Sequence, residues 1–230
     1  ETINLHFKRE ARFYGSIIFD GGTFYGNSRT TTDNNLWVTK LKFGNISGGN
    51  TPTDRHSSTG YLCKKMIHYL SSVPDNSDQF TQHRYAFPII RLADLYLMYA
   101  EALNEWKHGP TTDAYNAINA VRRRGYGNPG NTSTCDLTEG LDEKGFREAV
   151  RKERSYELSF EGHRRMDLVR WGIYYNTIQE TAKELGYWWE SAGSPNYSVA
   201  TYTINGKHEL FPIPQRDMDL CILFNQNPKW

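Results

Sequence analysis

The chain has 230 residues and a nearly balanced charge, with 27 Lys and Arg against 26 Asp and Glu, for a net charge of +1. That balance argues against a dedicated nucleic-acid-binding domain, which would carry a strong basic excess. No apolar run approaches the ~18–20 residues that a helix needs to cross a bilayer. The three cysteines, Cys63, Cys135 and Cys221, include no Cys-x-x-Cys pair, so zinc and redox motifs are not supported. Whether any two of them form a disulfide stays open.

Residues 1–86 are rich in Gly, Thr, Asn and Ser, with short aromatic and aliphatic runs. The run Ser16–Phe19 ends in Asp20-Gly21-Gly22 and is followed by Thr23–Tyr25, a pattern that predicts a β-hairpin. Residues 44–60 have turn chemistry throughout and predict a long loop. Tyr61–Lys65 predicts a short strand.

Residues 87–230 have the apolar spacing and the start and stop residues that are typical of helices. A first helix is predicted from Pro88 to Gly109, with Leu92, Leu95, Tyr96, Tyr99 and Trp106 among the residues on one apolar face. A second is predicted to begin at a cap residue, Asp113, and to end at Gly125. Further helices are predicted at about 142–160, 165–171 and 174–185, followed by an irregular stretch over 186–209 and an extended one at 210–214.

A short link between two amphipathic helices indicates an antiparallel αα-hairpin, the size of one tetratricopeptide unit. One such unit cannot bury its own apolar face. We therefore expect a single, mainly helical structural domain, in which other parts of this chain or a preceding amino-terminal half cover that face.

Three glutamates, Glu153, Glu157 and Glu161, share one face of a predicted helix and are the strongest candidates for metal chemistry. A di-iron bundle also needs two Glu-x-x-His motifs, and the chain offers only Glu105–His108. The favoured interpretation is that these glutamates form ion pairs with nearby arginines, since a buried carboxylate is costly alone. The arginines considered are Arg91, Arg122, Arg154, Arg164 and Arg170. The sequence predicts no catalytic residue, no metal site and no cofactor.

Aromatic residues in polar, glycine-rich stretches are the candidate ligand-binding residues. They are Tyr25 and Trp37 first, then Phe24, with Trp188 and Trp189 as weaker candidates. Flat rings can stack on the C–H faces of sugars, while Asn, Asp and Arg bond the hydroxyls, a combination that binding surfaces use widely. For any single ring the competing interpretation is that it pins a loop to the core.

Several ordered stretches resemble the SusD/RagB family. They are Arg91–Glu105, Ala117–Arg124, Glu153–Gly172, Leu210–Gln215 and Asn225–Pro228, with Ala11–Phe19 and Thr59–Lys65 in the first part. The sequence departs from the family at Glu10-Ala11, at Asp219–Phe224 and at Lys229-Trp230. These departures lie at turns and at the terminus.

The resemblance implies a tetratricopeptide-like helical scaffold with long loops and a few short β-hairpins. It also implies a non-catalytic nutrient-binding lipoprotein on the outer-membrane surface of Bacteroidetes-type bacteria. Such a protein would capture oligosaccharide and deliver it to a SusC-like TonB-dependent transporter. Family members are about twice as long, and their amino-terminal half would carry the lipid anchor. The alternatives are capture of oligopeptides, as in RagB-like members, and, more distantly, a carboxylate-bridged metalloenzyme.

Overall fold

The computed structural model describes residues 6–25, 36–41, 60–68, 70–71, 82–128, 134–181 and 206–230. This part of the chain is mainly helical, as predicted. The helices are α1 Ala11–Ser16, α2 Leu92–Lys107, α3 Thr112–Gly125, α4 Glu143–Glu157, α5 His163–Arg170, α6 Tyr174–Thr181 and α7 Gln215–Leu220. The strands are β1 Ile17–Ile18, β2 Thr23–Tyr25, β3 Leu36–Val38 and β4 Leu62–Cys63.

The chain forms two compact units, Glu1–Gly162 and His163–Trp230. The first contains every strand named above together with α1–α4. The second contains α5–α7 and a short 3-10 helix, Gly206–Glu209. The division at residues 86 and 87, drawn from composition, stays a prediction. In the part of the chain that the structure describes, no helix is long and apolar enough to cross a membrane.

Helices α2 and α3 form the predicted αα-hairpin. The left-handed residue His108 (φ 55°) ends α2, and the Gly109 amide donates to the Asn104 carbonyl at 3.0 Å. The cap of α3 is Thr111, whose Oγ1 accepts from the Ala114 amide at 3.2 Å, so the prediction of Asp113 as cap was wrong. Both side-chain types cap helices well, but Thr111 precedes the first turn and has the extended backbone that a cap requires.

Helix α2 begins at Leu92, four residues later than predicted. Arg91 has extended backbone angles (φ −136°, ψ 155°), so Pro88 lies before the helix rather than in its first turn. The face of α2 that is buried in this unit carries one large apolar residue, Leu97, among small or polar ones: Ala93, Asp94, Ala100 and Asn104. The larger residues that defined the predicted apolar face are exposed: Leu92, Leu95, Tyr96, Tyr99 and Trp106. The described residues therefore do not cover that face.

Helix α4 completes the core of the first unit. Asp142 caps it, with Oδ1 accepting from the Gly145 amide at 2.7 Å, which confirms the predicted start. Phe146 and Val150 are fully buried against α2 and α3, and the Phe146 ring meets the Tyr115 ring edge-on at 5.0 Å. The helix ends at Glu157, before Phe160 (φ 66°) and Gly162 (φ 82°), whose left-handed backbones cannot continue it.

The strands pair differently from the prediction. β2 pairs with β3, and β1 pairs with β4, both antiparallel. The predicted hairpin between residues 16–19 and 23–25 was therefore wrong, although its turn and second strand exist. The turn at Asp20–Gly22 leads to β3 rather than back to β1, because the Gly21 amide and the Gly22 carbonyl bond to the backbone of Thr39. The predicted strand at 61–65 is confirmed as β4.

The second unit contains the predicted short helices α5 and α6. The segment 210–214 lacks helical or strand structure, as predicted, and Pro214 then precedes α7, which was not predicted. The Trp230 indole Nε1 lies 2.8 Å from the Lys207 carbonyl and 3.1 Å from the Leu210 carbonyl, and it ties the last residue to this unit.

Candidate functional site

The β2–β3 ladder brings three of the five candidate aromatic residues together. Phe24 lies opposite Trp37 in the register, and Tyr25 lies opposite Leu36. The other two candidates, Trp188 and Trp189, lie outside the described residues. The sequence placed Phe24 and Tyr25 at a turn and Trp37 in a separate loop, so their pairing in one ladder is a structural finding.

The register also divides the candidates. Residues directly opposite each other in an antiparallel pair belong to the same face, and neighbours along a strand belong to opposite faces. Phe24 and Trp37 therefore share one face of the ladder, and Tyr25 shares the other with Leu36.

A network of turn hydrogen bonds closes the base of this ladder. The Gly21 amide donates to the Thr39 carbonyl at 2.9 Å, and the Thr39 amide donates to the Gly22 carbonyl at 2.8 Å. Asp20 Oδ1 accepts from the Leu41 amide at 2.9 Å. Gly21 has φ 78°, a left-handed angle that a side chain disfavours, which explains the Asp-Gly-Gly sequence at this turn. The base of the ladder is thus fixed on both strands.

Beneath the turn, an aromatic cluster holds the ladder on the first unit. Phe19 is buried, with its ring centroid 4.6 Å from that of His6 and 5.3 Å from that of Phe13. His6 is also buried and its Nε2 lies 2.9 Å from the Tyr61 hydroxyl. Burial lowers the pKa of His6, and a neighbouring Arg9 lowers it further, against the opposing effect of Asp20. The neutral imidazole is therefore the form that this cluster favours.

Lys64 is a further positioning residue that sequence reasoning missed. Its Nζ donates to the Thr23 carbonyl in β2 at 2.9 Å and to the Tyr14 carbonyl in α1 at 3.1 Å. Burial lowers its pKa. A lysine in a run of two gives no sequence signal for this role, because Thr23 and Tyr14 are 41 and 50 residues away from it.

The three glutamates of α4 and the turn after it are held in ion pairs, as predicted. Glu153 pairs with Arg122 at 3.1 Å, and Arg91 pairs with both Glu157 and Glu161. Two of the predicted arginines have other partners, since Arg154 pairs with Asp94 at 2.8 Å and Arg170 pairs with Asp167 at 2.9 Å.

Three further cations from distant segments join this network. Arg12 of α1 pairs with Glu153 at 2.7 Å and with Glu157 at 3.0 Å. Arg124 of α3 also pairs with Glu157, and Lys65 pairs with Glu161. Burial opposes the charged form of Glu161, but Arg91 and Lys65 outweigh it and hold the pKa of that carboxyl below its ordinary value. The network fastens α1 and the β4 turn to α4.

These contacts bear on the metalloenzyme alternative. Five cations surround the three carboxylates, an environment that repels a metal ion. The Glu105–His108 motif does not converge either, because Arg147 binds Glu105 at 2.6 Å while His108 points to solvent. Within the described ranges, no group of three or more His, Cys, Asp or Glu side chains is placed to hold a metal.

Comparisons with known proteins agree with the fold. The SusD family model matches residues 1–230. SusD-like protein P25 of Formosa agariphila is 40% identical over 146 residues, which is 64% of this chain and 24% of that protein. A solved SusD homologue of Bacteroides thetaiotaomicron is 58% identical, with a TM-score of 0.67 over 96% of this chain and 41% of that one.

A second solved structure, described as a SusD-like carbohydrate-binding protein of Bacteroides fragilis, is 26% identical. Its TM-score is 0.64, and the match covers 94% of this chain and 42% of that one. The chain thus spans well under half the length of these relatives. Because the family model covers every residue, the chain belongs to the SusD family.

Proposed function

We propose that this chain is part of a cell-surface glycan-binding protein that captures oligosaccharide without catalysis. The observation that carries the proposal is the Phe24–Trp37 pair in the β2–β3 register, on a ladder whose base is fixed by hydrogen bonds and by the His6–Phe19 cluster. Two aromatic residues are opposite each other in the register of a short ladder, and aromatic residues are the type that stacks on sugar rings. A fixed base reduces the entropy that binding would otherwise cost.

Family membership supports the same function. The Bacteroides fragilis relative is described as carbohydrate-binding and shares the fold over 94% of this chain. We extend the proposal to a surface lipoprotein of the outer membrane that is anchored through a part of the protein outside this chain. It would hand its ligand to a SusC-like TonB-dependent transporter.

The test is calorimetric titration of the protein with a panel of neutral and acidic oligosaccharides and a panel of oligopeptides. We expect saturable binding to one glycan class, with no product formed. Trp37→Ala should weaken that binding by about tenfold or more, the equivalent of roughly 1.4 kcal/mol. Trp106→Ala is the matched control, because Trp106 is an exposed tryptophan on α2 and lies outside the ladder.

Two results would count against the proposal. Binding to peptides alone would favour the RagB-like alternative, in which a peptide adds to a strand edge through backbone contacts. Equal effects of Trp37→Ala and Trp106→Ala on glycan affinity would remove the ladder from the binding site.

A further inference from the structure

A cleft of about 680 Å³ lies in the first unit, separate from the β2–β3 ladder. Its walls come from the segment before α1, from α1 and β1, from the end of α3 and from α4. Clefts of roughly 300–1,000 Å³ are the usual size for small-ligand sites. Because its walls are far apart in sequence, no motif in the sequence points to it.

The lining of this cleft has an excess of positive charge. Two carboxylates, Glu10 and Glu153, face five cationic side chains: Lys8, Arg9, Arg12, Arg122 and Lys152. Both carboxylates are already bound to Arg12, at 2.6 and 2.7 Å, and Glu153 is also bound to Arg122. Two further cations of the lining, Lys8 and Lys152, are exposed and meet any ligand that enters the cleft. A concave surface with this charge attracts an anion.

Exposed aromatic rings line the same cleft. Tyr156 and Phe160 are each about half exposed, at 47% and 49%, and Tyr126 is 41% exposed. The Lys152 Nζ lies 6.0 Å from the centroid of the Tyr156 ring. Cations are thus placed beside flat apolar surfaces. A ligand suited to both would carry negative charge on a body with apolar faces, a description that fits an acidic sugar.

Two residues with strained backbone conformations line this cleft. Among the described residues, four non-glycine residues have a left-handed φ, and two of them, Lys8 (φ 55°) and Phe160 (φ 66°), line it. Such conformations cost free energy, and they are found at ligand-holding positions where the surrounding structure enforces them. Here they place one of the exposed lysines, Lys8, and one of the exposed rings, Phe160.

From these observations we propose that the cleft is a subsite for carboxylate-bearing sugar units, so that the glycan captured is an acidic oligosaccharide containing uronic acid. Lys8 and Lys152 would pair with the carboxylates, and Tyr156 and Phe160 would stack on the sugar rings. The inference rests on the proposed glycan capture and specifies its ligand class. It involves no covalent step.

The probes are tetragalacturonic acid, the same tetrasaccharide with its carboxylates methyl-esterified, and tetraglutamate. Each is titrated calorimetrically into the protein and into its Lys8→Gln/Lys152→Gln variant. Lys144→Gln is the control, because Lys144 is an exposed lysine on α4 that does not line the cleft. Circular dichroism and thermal unfolding of each variant establish that it is folded.

We expect the free acid to bind at least about tenfold more tightly than its ester, and the double variant to lose at least about tenfold in affinity for the acid. Affinity for the acid should also fall as salt rises, because the contacts are ionic. Lys144→Gln should bind like the parent.

Equal affinity for acid and ester, or an unchanged affinity in the double variant, would overturn this inference. Glycan capture would still stand if a neutral glycan of the panel bound and Trp37→Ala weakened it. Tight binding of tetraglutamate without tetragalacturonic acid would replace the sugar with an acidic peptide. Absence of binding to all three probes would also overturn the inference, while the wider glycan panel would separately decide the proposed function.

Discussion

Phe24 lies directly opposite Trp37 across the β2–β3 ladder, whereas Tyr25 lies opposite Leu36 on the other face. We expect Phe24→Ala and Trp37→Ala to be coupled in a double-mutant cycle of glycan affinity, with about 0.5–3 kcal/mol of interaction free energy, because both residues would contact one ligand. Tyr25→Ala should combine additively with Trp37→Ala. The cycle is measured by calorimetric titration, and a Tyr25–Trp37 coupling as large as that of Phe24 and Trp37 would contradict the assignment of faces.

The sequence was informative about these strands but not about their partners. Short aromatic and aliphatic runs and the Asp20–Gly22 turn predicted β-structure at β1 and β2, whereas Trp37 of β3 was expected in a loop. The pairing depended on Thr39, whose backbone bonds to Gly21 and Gly22 close the ladder 17 to 18 residues further along the chain. Nothing in a local pattern distinguishes that partner from β1, because both runs are short and apolar.

The network around Glu157 predicts an asymmetric response to substitution. Glu157 is 3% exposed and pairs with Arg12, Arg91 and Arg124, of which Arg124 is 58% exposed. Glu157→Gln leaves partly buried guanidinium groups without their carboxylate, so we expect it to cost about 3–5 kcal/mol of unfolding free energy. Arg124→Gln removes a partner that water can replace, and should cost about 1 kcal/mol or less.

Urea unfolding, monitored by circular dichroism, measures the unfolding free energy of Glu157→Gln and of Arg124→Gln. Similar losses of unfolding free energy in the two variants would mean that the network does not depend on the buried carboxylate. A small loss for Glu157→Gln alone would show that the arginines find other partners when the carboxylate is removed.

The pH dependence of stability should reveal how much the ionised Glu161 side chain stabilises the fold. Arg91 and Lys65 outweigh burial and hold the pKa of this carboxyl below its ordinary value of 4.5. Because the folded pKa is the lower one, ionised Glu161 stabilises the fold above pH 4.5, and this contribution is lost as pH falls from 4.5 through the folded pKa. The stability difference between the parent and Glu161→Gln should therefore be largest near neutral pH and shrink below pH 4.5.

Other carboxylates also have lowered pKa values, including Glu105 and Asp136, which Arg147 and Arg123 lower. Comparison with Glu161→Gln removes their contribution, because they are present in both proteins. Glu139→Gln, at an exposed position, serves as the matched control. A parent–variant difference that stays constant from pH 7 to pH 3 would contradict the role of Glu161.

Helix α2 shows where periodicity is ambiguous. A helix with large apolar residues on one side and small ones on the other satisfies the apolar spacing on both sides. Size favoured the side of Leu95 and Tyr99, but the first unit buries the side of Ala93, Leu97 and Ala100, where the two alanines let α3 approach closely and Leu97 fills the core. The helix and its ends could therefore be predicted approximately, but its buried side in this unit could not.

Two neighbouring leucines on α2 test that assignment. Leu97 is 0% exposed and Leu95 is 48% exposed. We expect Leu97→Ala to lower the free energy of unfolding by about 2–5 kcal/mol, because it removes buried methyl groups and leaves a cavity. Leu95→Ala should cost less than about 1 kcal/mol in this chain. Chemical denaturation of the two variants measures the difference, and equal losses would show that the Leu95 side is covered in solution.

The left-handed backbone of Lys8 connects stability with the proposed acidic-sugar cleft. Lys8→Gly relieves a conformation that costs a side chain roughly 1–2 kcal/mol, while glycine's extra freedom in the unfolded chain returns part of that gain. We expect Lys8→Gly to be neutral or stabilising by up to about 1 kcal/mol, and to weaken binding of tetragalacturonic acid. Lys144→Gly, in the first turn of α4, should instead cost up to about 1 kcal/mol and leave that binding unchanged. Thermal unfolding and titration measure both quantities. A marked loss of stability in Lys8→Gly would mean that the lysine side chain holds this segment in place, and that its strained backbone serves the fold rather than the ligand.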